Sequence, residues 1–359
     1  MSKLKNIVII TAGILISPAV AAGVVKGMTG LSAAADYLSD VTIGARTDTN
    51  KNEIDGMTGV MISEGFGWLF DQTLLNTVDL NSGGPIPYPE ITDKKSGKVI
   101  QQTYGTYYGN QYFSLDNYGQ VRNCTDVSAS VLLAQSRLLP EFRIKLNSTP
   151  QVLIMHTHTT ESFEPSEREY YDDSFSYRCS DENMNVVAVG EEIRLQIEKC
   201  GISVIHDKTI HDYPSYNGSY ERSAETVKKI LEENPDIKVV LDIHRDAIAT
   251  NGDLIAPVVD VDGKKAAQIM IISGCDDGTM NMPEYLKNFR LAALFQQQIE
   301  EDSPGITRPI LFDYRQYNQD ITTGSLLIEI GSHGNSIDQV KYSGNLIGSS
   351  IGKALQSII

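Results

Sequence analysis

From residue 151 onward, short apolar runs alternate with helical stretches, and this alternation constrains the fold more than any other feature of the chain. The runs are Val152-Leu153-Ile154-Met155, Ile202 to Ile205, Lys238 to Ile243, Gln268 to Ser273 and Leu326 to Ile330. Each has the length and continuous apolarity of a buried strand. Val186 to Lys199, Tyr220 to Glu233, Pro283 to Glu300 and Ile337 to Ile358 read as helices, with Gly201 and Pro235 as stop signals. Strands alternating with helices predict an α/β domain with a mostly parallel sheet flanked by helices. Sheets of this kind place ligands at the carboxyl ends of their strands, so the chemistry is expected just after each apolar run.

The residues found there are polar in an unusual way. The first run is followed by His156-Thr157-His158-Thr159-Thr160-Glu161-Ser162. The third ends in Asp242-Ile243-His244-Arg245-Asp246, and the fifth contains Glu329 ahead of Gly331-Ser332-His333-Gly334-Asn335. A histidine at a strand end is more often a hydrogen-bonded structural residue than a ligand. Three strand ends that can converge on one rim are a different matter. His158, Glu161 and His244 supply two imidazoles and a carboxylate, the ligand set of a catalytic zinc ion with one position left open. Such an ion polarises a carbonyl and eases ionisation of water. Glu329 is then the natural proton carrier, because a glutamate is costly in so apolar a run and burial raises its pKa. Arg245 is a candidate to stabilise an oxyanion or bind a substrate carboxylate. Asp242 and Asp246 are candidates to hydrogen-bond an imidazole.

Spacing leaves two choices open. His156 lies two residues before His158, and in an extended strand both would face the same side. We prefer His158, which forms the H-x-x-E. His206-Asp207 and His211-Asp212, followed by Tyr213, Tyr216 and Tyr220, form either a substrate wall or a plain exposed loop.

Upstream, Lys3 and Lys5 precede an uncharged run from Asn6 to Val25. Twenty residues can span a bilayer, and the lysines predict a cytoplasmic N-terminus with the rest outside. A signal peptide cleaved near Ala19-Val20-Ala21 is the rival. Residues 1–26 are therefore read as a membrane anchor or signal segment. Residues 27–150 are read as a tether and small N-terminal region, and residues 151–359 as the catalytic domain. Within the middle part we expect a short helix near Leu31–Leu38 and another over Met61 to Leu80. A Gly/Pro loop follows at 81–90, then a hairpin or aromatic loop from Tyr104 to Tyr118, and a helix from Val127 to Leu139.

The composition removes some classes. Of 359 residues, 41% are apolar and 21% charged, enough to bury a real core. A formal net charge of -16 argues against nucleic acid as a partner. The four cysteines form no C-x-x-C pair, which argues against a thiolate zinc cluster. Disulfides and buried free thiols both stay open.

Five separated segments together resemble the stage II sporulation protein P family. They are Val152 through Phe163, Asn185-Val186-Val187-Ala188-Val189-Gly190, His206-Asp207 through Tyr220, Asp242 through Ala247, and Leu327-Ile328-Glu329-Ile330-Gly331 with Asn335. The resemblance covers about residues 150–359. It implies a zinc amidase/carboxypeptidase-like fold and an N-acetylmuramoyl-L-alanine amidase, with endopeptidase action on crosslinks also credited. It further implies peptidoglycan as substrate, and stage II sporulation proteins D and M as partners at the septum during forespore engulfment. The site would lie outside a cell membrane crossed once, or in a secreted chain if the signal is cleaved. His158, His244 and Glu329 fall on the histidine and glutamate positions the resemblance implies. The third zinc ligand is either Glu161 or, nearer the first helix, Asp181 or Glu182; we take Glu161. His333 is an additional histidine near the site, and the resemblance would lead one to expect a more acidic helix start than Asp338-Gln339. A zinc carboxypeptidase or endopeptidase with Arg245 or Arg315 in its cleft is the enzymatic alternative. A non-catalytic wall-binding scaffold is the alternative of another class.

Overall fold

The computed structural model describes residues 85–359. The anchor or signal segment and the helices expected near Leu31–Leu38 and Met61 to Leu80 lie outside the described residues. Among the described residues, no helix is long and apolar enough to cross a membrane.

The main sheet has eight strands. They are β2 (Tyr112–Ser114), β3 (Gln120–Asn123), β4 (Val152–Met155), β6 (Val204–His206), β7 (Val239–Asp246), β11 (Ile269–Gly274), β12 (Ile310–Asp313) and β13 (Ser325–Ser332). Their order is β2-β3-β12-β11-β13-β7-β4-β6. One parallel block runs β6-β4-β7-β13. A second, β3-β12-β11, is parallel within itself. The two blocks meet antiparallel at the β11–β13 seam, and β2 closes the edge antiparallel to β3. The expected mostly parallel sheet is present, with this reversal in the middle.

The unbroken apolarity of the runs has a direct cause. The helices are α1 (Ala129–Ser136), α2 (Val186–Lys199), α3 (Ser219–Glu233), α4 (Tyr285–Asp302) and α5 (Ile337–Gln356). Val152 and Ile154 of β4 join the core under α2, α4 and α5, whereas Leu153 and Met155 pack with Val227 of α3. Successive side chains point to opposite faces of a strand, so a strand covered on both sides needs apolar residues throughout. The helix starts are set locally. The Asn185 side chain accepts from Val187 N, and Ser336 with Gln339 forms a capping box at α5. Each cap is worth about 1 kcal/mol.

A smaller sheet packs β10 (Lys264–Ala267), β9 (Asp253–Val261), β1 (Gly97–Gln102) and β5 (Tyr170–Tyr171) in that order, with β8 (Ala249–Thr250) on β9. β1 pairs with β9, and β3 pairs with β12 of the main sheet. Residue 150 therefore does not separate two sheets: strands from before it are woven into both. Tyr104 to Tyr118 ends in the β2–β3 hairpin, and the helix expected from Val127 to Leu139 is shortened to α1. No disulfide joins the cysteines, all four of which lie among the described residues. Burial pushes the Cys179 thiol up to about 11 and that of Cys275 to about 12, so neither is a thiolate nucleophile.

Candidate active site

The carboxyl ends of β4, β7 and β13 lie side by side. Met155 is level with Asp242, and His244 with Glu329. β4 stops at Met155, and the chain turns immediately, with Glu161 N donating to His158 O at 3.1 Å. That turn brings the two ends of the H-x-x-E together. His158 and His244 meet edge to face with ring centroids 5.2 Å apart, and His244 Nδ1 lies 3.7 Å from Glu161 Oε2. All three side chains are buried.

Each is oriented by its neighbours. His244 Nε2 lies 2.8 Å from Asp242 Oδ1, an ion-pair contact rather than an aligned hydrogen bond, which turns Nδ1 toward Glu161. Asp242 in turn accepts from Thr157 N at 2.8 Å and from Thr157 Oγ1 at 2.7 Å. Glu161 Oε2 accepts the Arg245 backbone N–H at 3.0 Å. Tyr216 stacks on the His158 ring at 4.5 Å, and Tyr220 closes the same imidazole edge-on at 5.6 Å. Tyr216 and Tyr220 thus pack against the His158 ring rather than standing in a plain exposed loop.

The electrostatics follow from burial and pairing. Burial, with the His244 charge second, holds His158 well below the usual imidazole pKa, so it is a neutral imidazole. Burial would also lower His244, but the Asp242 carboxylate outweighs it and raises the ring to about 9. Burial raises the Glu161 carboxyl, against the pull of Arg245 and His244. Glu329 is half-buried as a residue, yet its Oε2 is sealed without a hydrogen-bond partner. Burial first and the Asp246 charge second push its carboxyl up to about 8. A carboxyl in that range can take up and release a proton near neutrality.

Two imidazoles and a carboxylate are the donor chemistry of a divalent metal. His158 Nδ1 is buried without a partner, and His244 Nδ1 and Glu161 Oε2 face each other. Their 3.7 Å separation compares with roughly 3.3–3.6 Å between two donors of a tetrahedral zinc with bonds of about 2.0–2.2 Å. Among the described residues, no group of three or more His, Cys, Asp or Glu side chains is placed to hold a metal ion.

Several candidates stand elsewhere. Both nitrogens of His156 are engaged, Nδ1 with Ile243 O and Nε2 with His206 Nε2, each at 2.9 Å. Asp181 and Glu182 are exposed, and Glu182 pairs with Lys208. The Arg245 guanidinium donates to Ser162 O at 2.8 Å and Tyr177 O at 2.9 Å. Those bonds tie the loops around Glu161 and take Arg245 out of the groups aimed at substrate. Asp246 pairs with Arg308 at 2.8 Å, not with an imidazole. Arg315 pairs with Asp313, and His333 packs edge-on against Tyr177. The residue that sequence reasoning missed is Arg178. It holds Asp212 at 2.6 Å, lies 3.8 Å from Glu161 and sits over the Tyr216 ring. Its surroundings, Tyr177-Arg178-Cys179, carry no spacing signal.

The fold and site together define an α/β protein with two histidines and two glutamates gathered at the ends of adjacent parallel strands. The chain belongs to the stage II sporulation protein P family, whose model it matches over residues 92–352. It is similar to stage II sporulation protein P of Bacillus subtilis (strain 168), with 28% identity over 207 residues, 54% of this chain and 48% of that protein. The chain thus spans about half the length of this curated relative. Among solved structures, it overlaps N-acetylmuramoyl-L-alanine amidase AmiC2 of Nostoc punctiforme at 12% identity and a TM-score of 0.34, covering 59% of this chain and 98% of that one. An N-acetylmuramoyl-L-alanine amidase from Clostridium difficile 630 overlaps at 15% identity and a TM-score of 0.35, covering 59% and 97%. A metallo-carboxypeptidase from Burkholderia cenocepacia overlaps at 11% and 0.34, covering 67% and 71%. Overlaps this loose carry no argument about activity.

Proposed function

We propose that this chain is a zinc-dependent peptidoglycan hydrolase that cleaves the amide between N-acetylmuramic acid and L-alanine during forespore engulfment, with stem-peptide crosslinks as a second target. The observation that carries the reading is the convergence of His158, Glu161, His244 and Glu329 on one rim, in a member of the stage II sporulation protein P family. The reading includes a segment at Asn6 to Val25 that anchors the chain with its catalytic domain outside the membrane. It also includes stage II sporulation proteins D and M as partners.

His158 and His244 through their Nδ1 atoms, with Glu161, would hold the zinc, which when bound polarises the scissile carbonyl and eases ionisation of the attacking water. Glu329 takes the proton of that water on its unpartnered carboxyl oxygen and returns it to the leaving nitrogen. Asp242 keeps His244 in its ligating orientation. Tyr216 and Tyr220 keep bulk water off the rings, which strengthens the local electrostatics.

The test is digestion of isolated peptidoglycan by the full chain, with and without chelator, followed by mass analysis of the soluble products. We expect free stem peptides that vanish with chelator and return with zinc. Glu329→Gln should slow their release about 10²–10⁴-fold while keeping bound metal. Peptides left attached to sugar would replace the amidase with a peptidase, and chelator-insensitive release would remove the metal.

A further inference from the structure

Arg308 lies just before β12, beyond the antiparallel seam, and its backbone N donates to Ile269 O at the start of β11. Ile269 is level with Ile330, one residue past Glu329. From there the Arg308 side chain reaches the end of β7, where Nη1 donates to Asp246 Oδ2 at 2.8 Å. Only 9% of the side chain is exposed. Its Nε and Nη2 are sealed from solvent without a hydrogen-bond partner.

Those two atoms form one edge of the guanidinium, the fork that grips a carboxylate with two parallel hydrogen bonds. The chain uses that edge in this way elsewhere. Arg137 holds Asp116 through Nε at 2.6 Å and Nη2 at 3.0 Å, and Arg194 holds Glu191 through Nε at 3.0 Å and Nη2 at 2.7 Å. Leaving such donors buried and unmatched is costly, and the cost is greater for a charged group. Here Asp246 fixes the opposite side, so the fork is aimed rather than loose.

The surroundings point to an anion. The Arg308 charge is felt at Glu329, Tyr104 and Tyr107. A second guanidinium, Arg122, also bears on Tyr107, and its Nε is likewise buried without a partner. In a chain of net charge -16, the Arg308 guanidinium acting on Glu329, the proposed proton carrier, is a buried cation with one edge of its fork unmatched.

We propose that Arg308 anchors a free carboxylate of the peptide substrate, gripping it through the Nε/Nη2 edge next to the bond cleaved at Glu329. This rests on the hydrolase reading and adds to it a rule for which peptides are accepted. Wall stem peptides carry several free carboxylates, and the fork would read one of them.

The experiment uses the full, metal-loaded chain and synthetic sugar-linked stem peptides in which each free carboxylate is amidated in turn. We measure kcat and KM for each, and calorimetric binding of the same peptides to Glu329→Gln. One amidation should lower kcat/KM about 10–100-fold, mainly through KM, and weaken binding to Glu329→Gln in parallel. Arg308→Gln should abolish that discrimination, and Arg308→Lys, which keeps the charge but not the fork, should restore it only in part. If the wild-type chain accepts every amidated peptide as well as its parent, the inference fails; that comparison needs no variant to fold. Hydrolysis without discrimination overturns the inference alone. Arg308-dependent binding without hydrolysis supports it and overturns the hydrolase reading.

Discussion

His156 and His158 stand two residues apart just past the end of β4 and do opposite jobs. His156 has both nitrogens engaged, by Ile243 O and by His206, and His206 is braced by Glu191 at 3.2 Å. His158 faces His244 and keeps a buried Nδ1 without a partner. One ring is a strut within the fold, and the other is held ready for something outside it. Closeness in the sequence does not assign a shared role; whether the ring is already satisfied does.

That contrast breaks most sharply in a pair of substitutions. His158→Ala should abolish metal binding, read as zinc per chain. His156→Ala should keep the metal and cost about 1–3 kcal/mol in denaturant unfolding, because it strands buried partners. Loss of metal on His156→Ala and its retention on His158→Ala would exchange the two assignments. Next in size, Asp242→Asn should weaken zinc affinity about 10–100-fold in a competitive chelator titration, since the carboxylate orients His244.

On the strut side, a Cβ at Gly190 would lie 2.7 Å from His206 Nε2 and 2.9 Å from the His156 ring. Gly190→Ala should therefore cost about 1–3 kcal/mol by overpacking and leave zinc content unchanged. The smallest effect belongs to Glu191. Its hydrogen bonds to Arg194, and then to His206, hold its carboxyl down at about 2. A depressed carboxyl contributes stability above its unfolded value of about 4.3, and that contribution is lost as pH falls toward 2. With 37% of the side chain exposed, Glu191→Gln should remove less than about 1 kcal/mol at pH 7 and flatten the acid limb of the stability curve between pH 4 and 2.

Much of this was legible in the amino-acid order. The five apolar runs and the helices between them could be read because burial on both faces leaves no alternation to misread. The convergence of His158, His244 and Glu329 followed from where strands end. The choice between His156 and His158 did not, because a period of two holds only while the strand lasts, and β4 stops at Met155. β9 escaped notice because Pro257 interrupts it, and proline removes a ladder donor. β1 escaped because most of its residues are exposed. Arg178 and Arg308 could not be found from spacing, since each acts through partners distant in the chain. Arg245 misled for the converse reason: it is next in sequence to His244, a proposed metal ligand, while its side-chain contacts are backbone carbonyls.

Asp242 touches both the His244 ring and the backbone of Thr157. The turn from Thr157 to Glu161 and the imidazole of His244 are therefore mechanically one part. A substrate, inhibitor or partner protein that lifts the turn must also rotate or release the ring. The His244 ring-proton resonance is thus a built-in strain gauge for the turn, and it would report docking without any label being introduced.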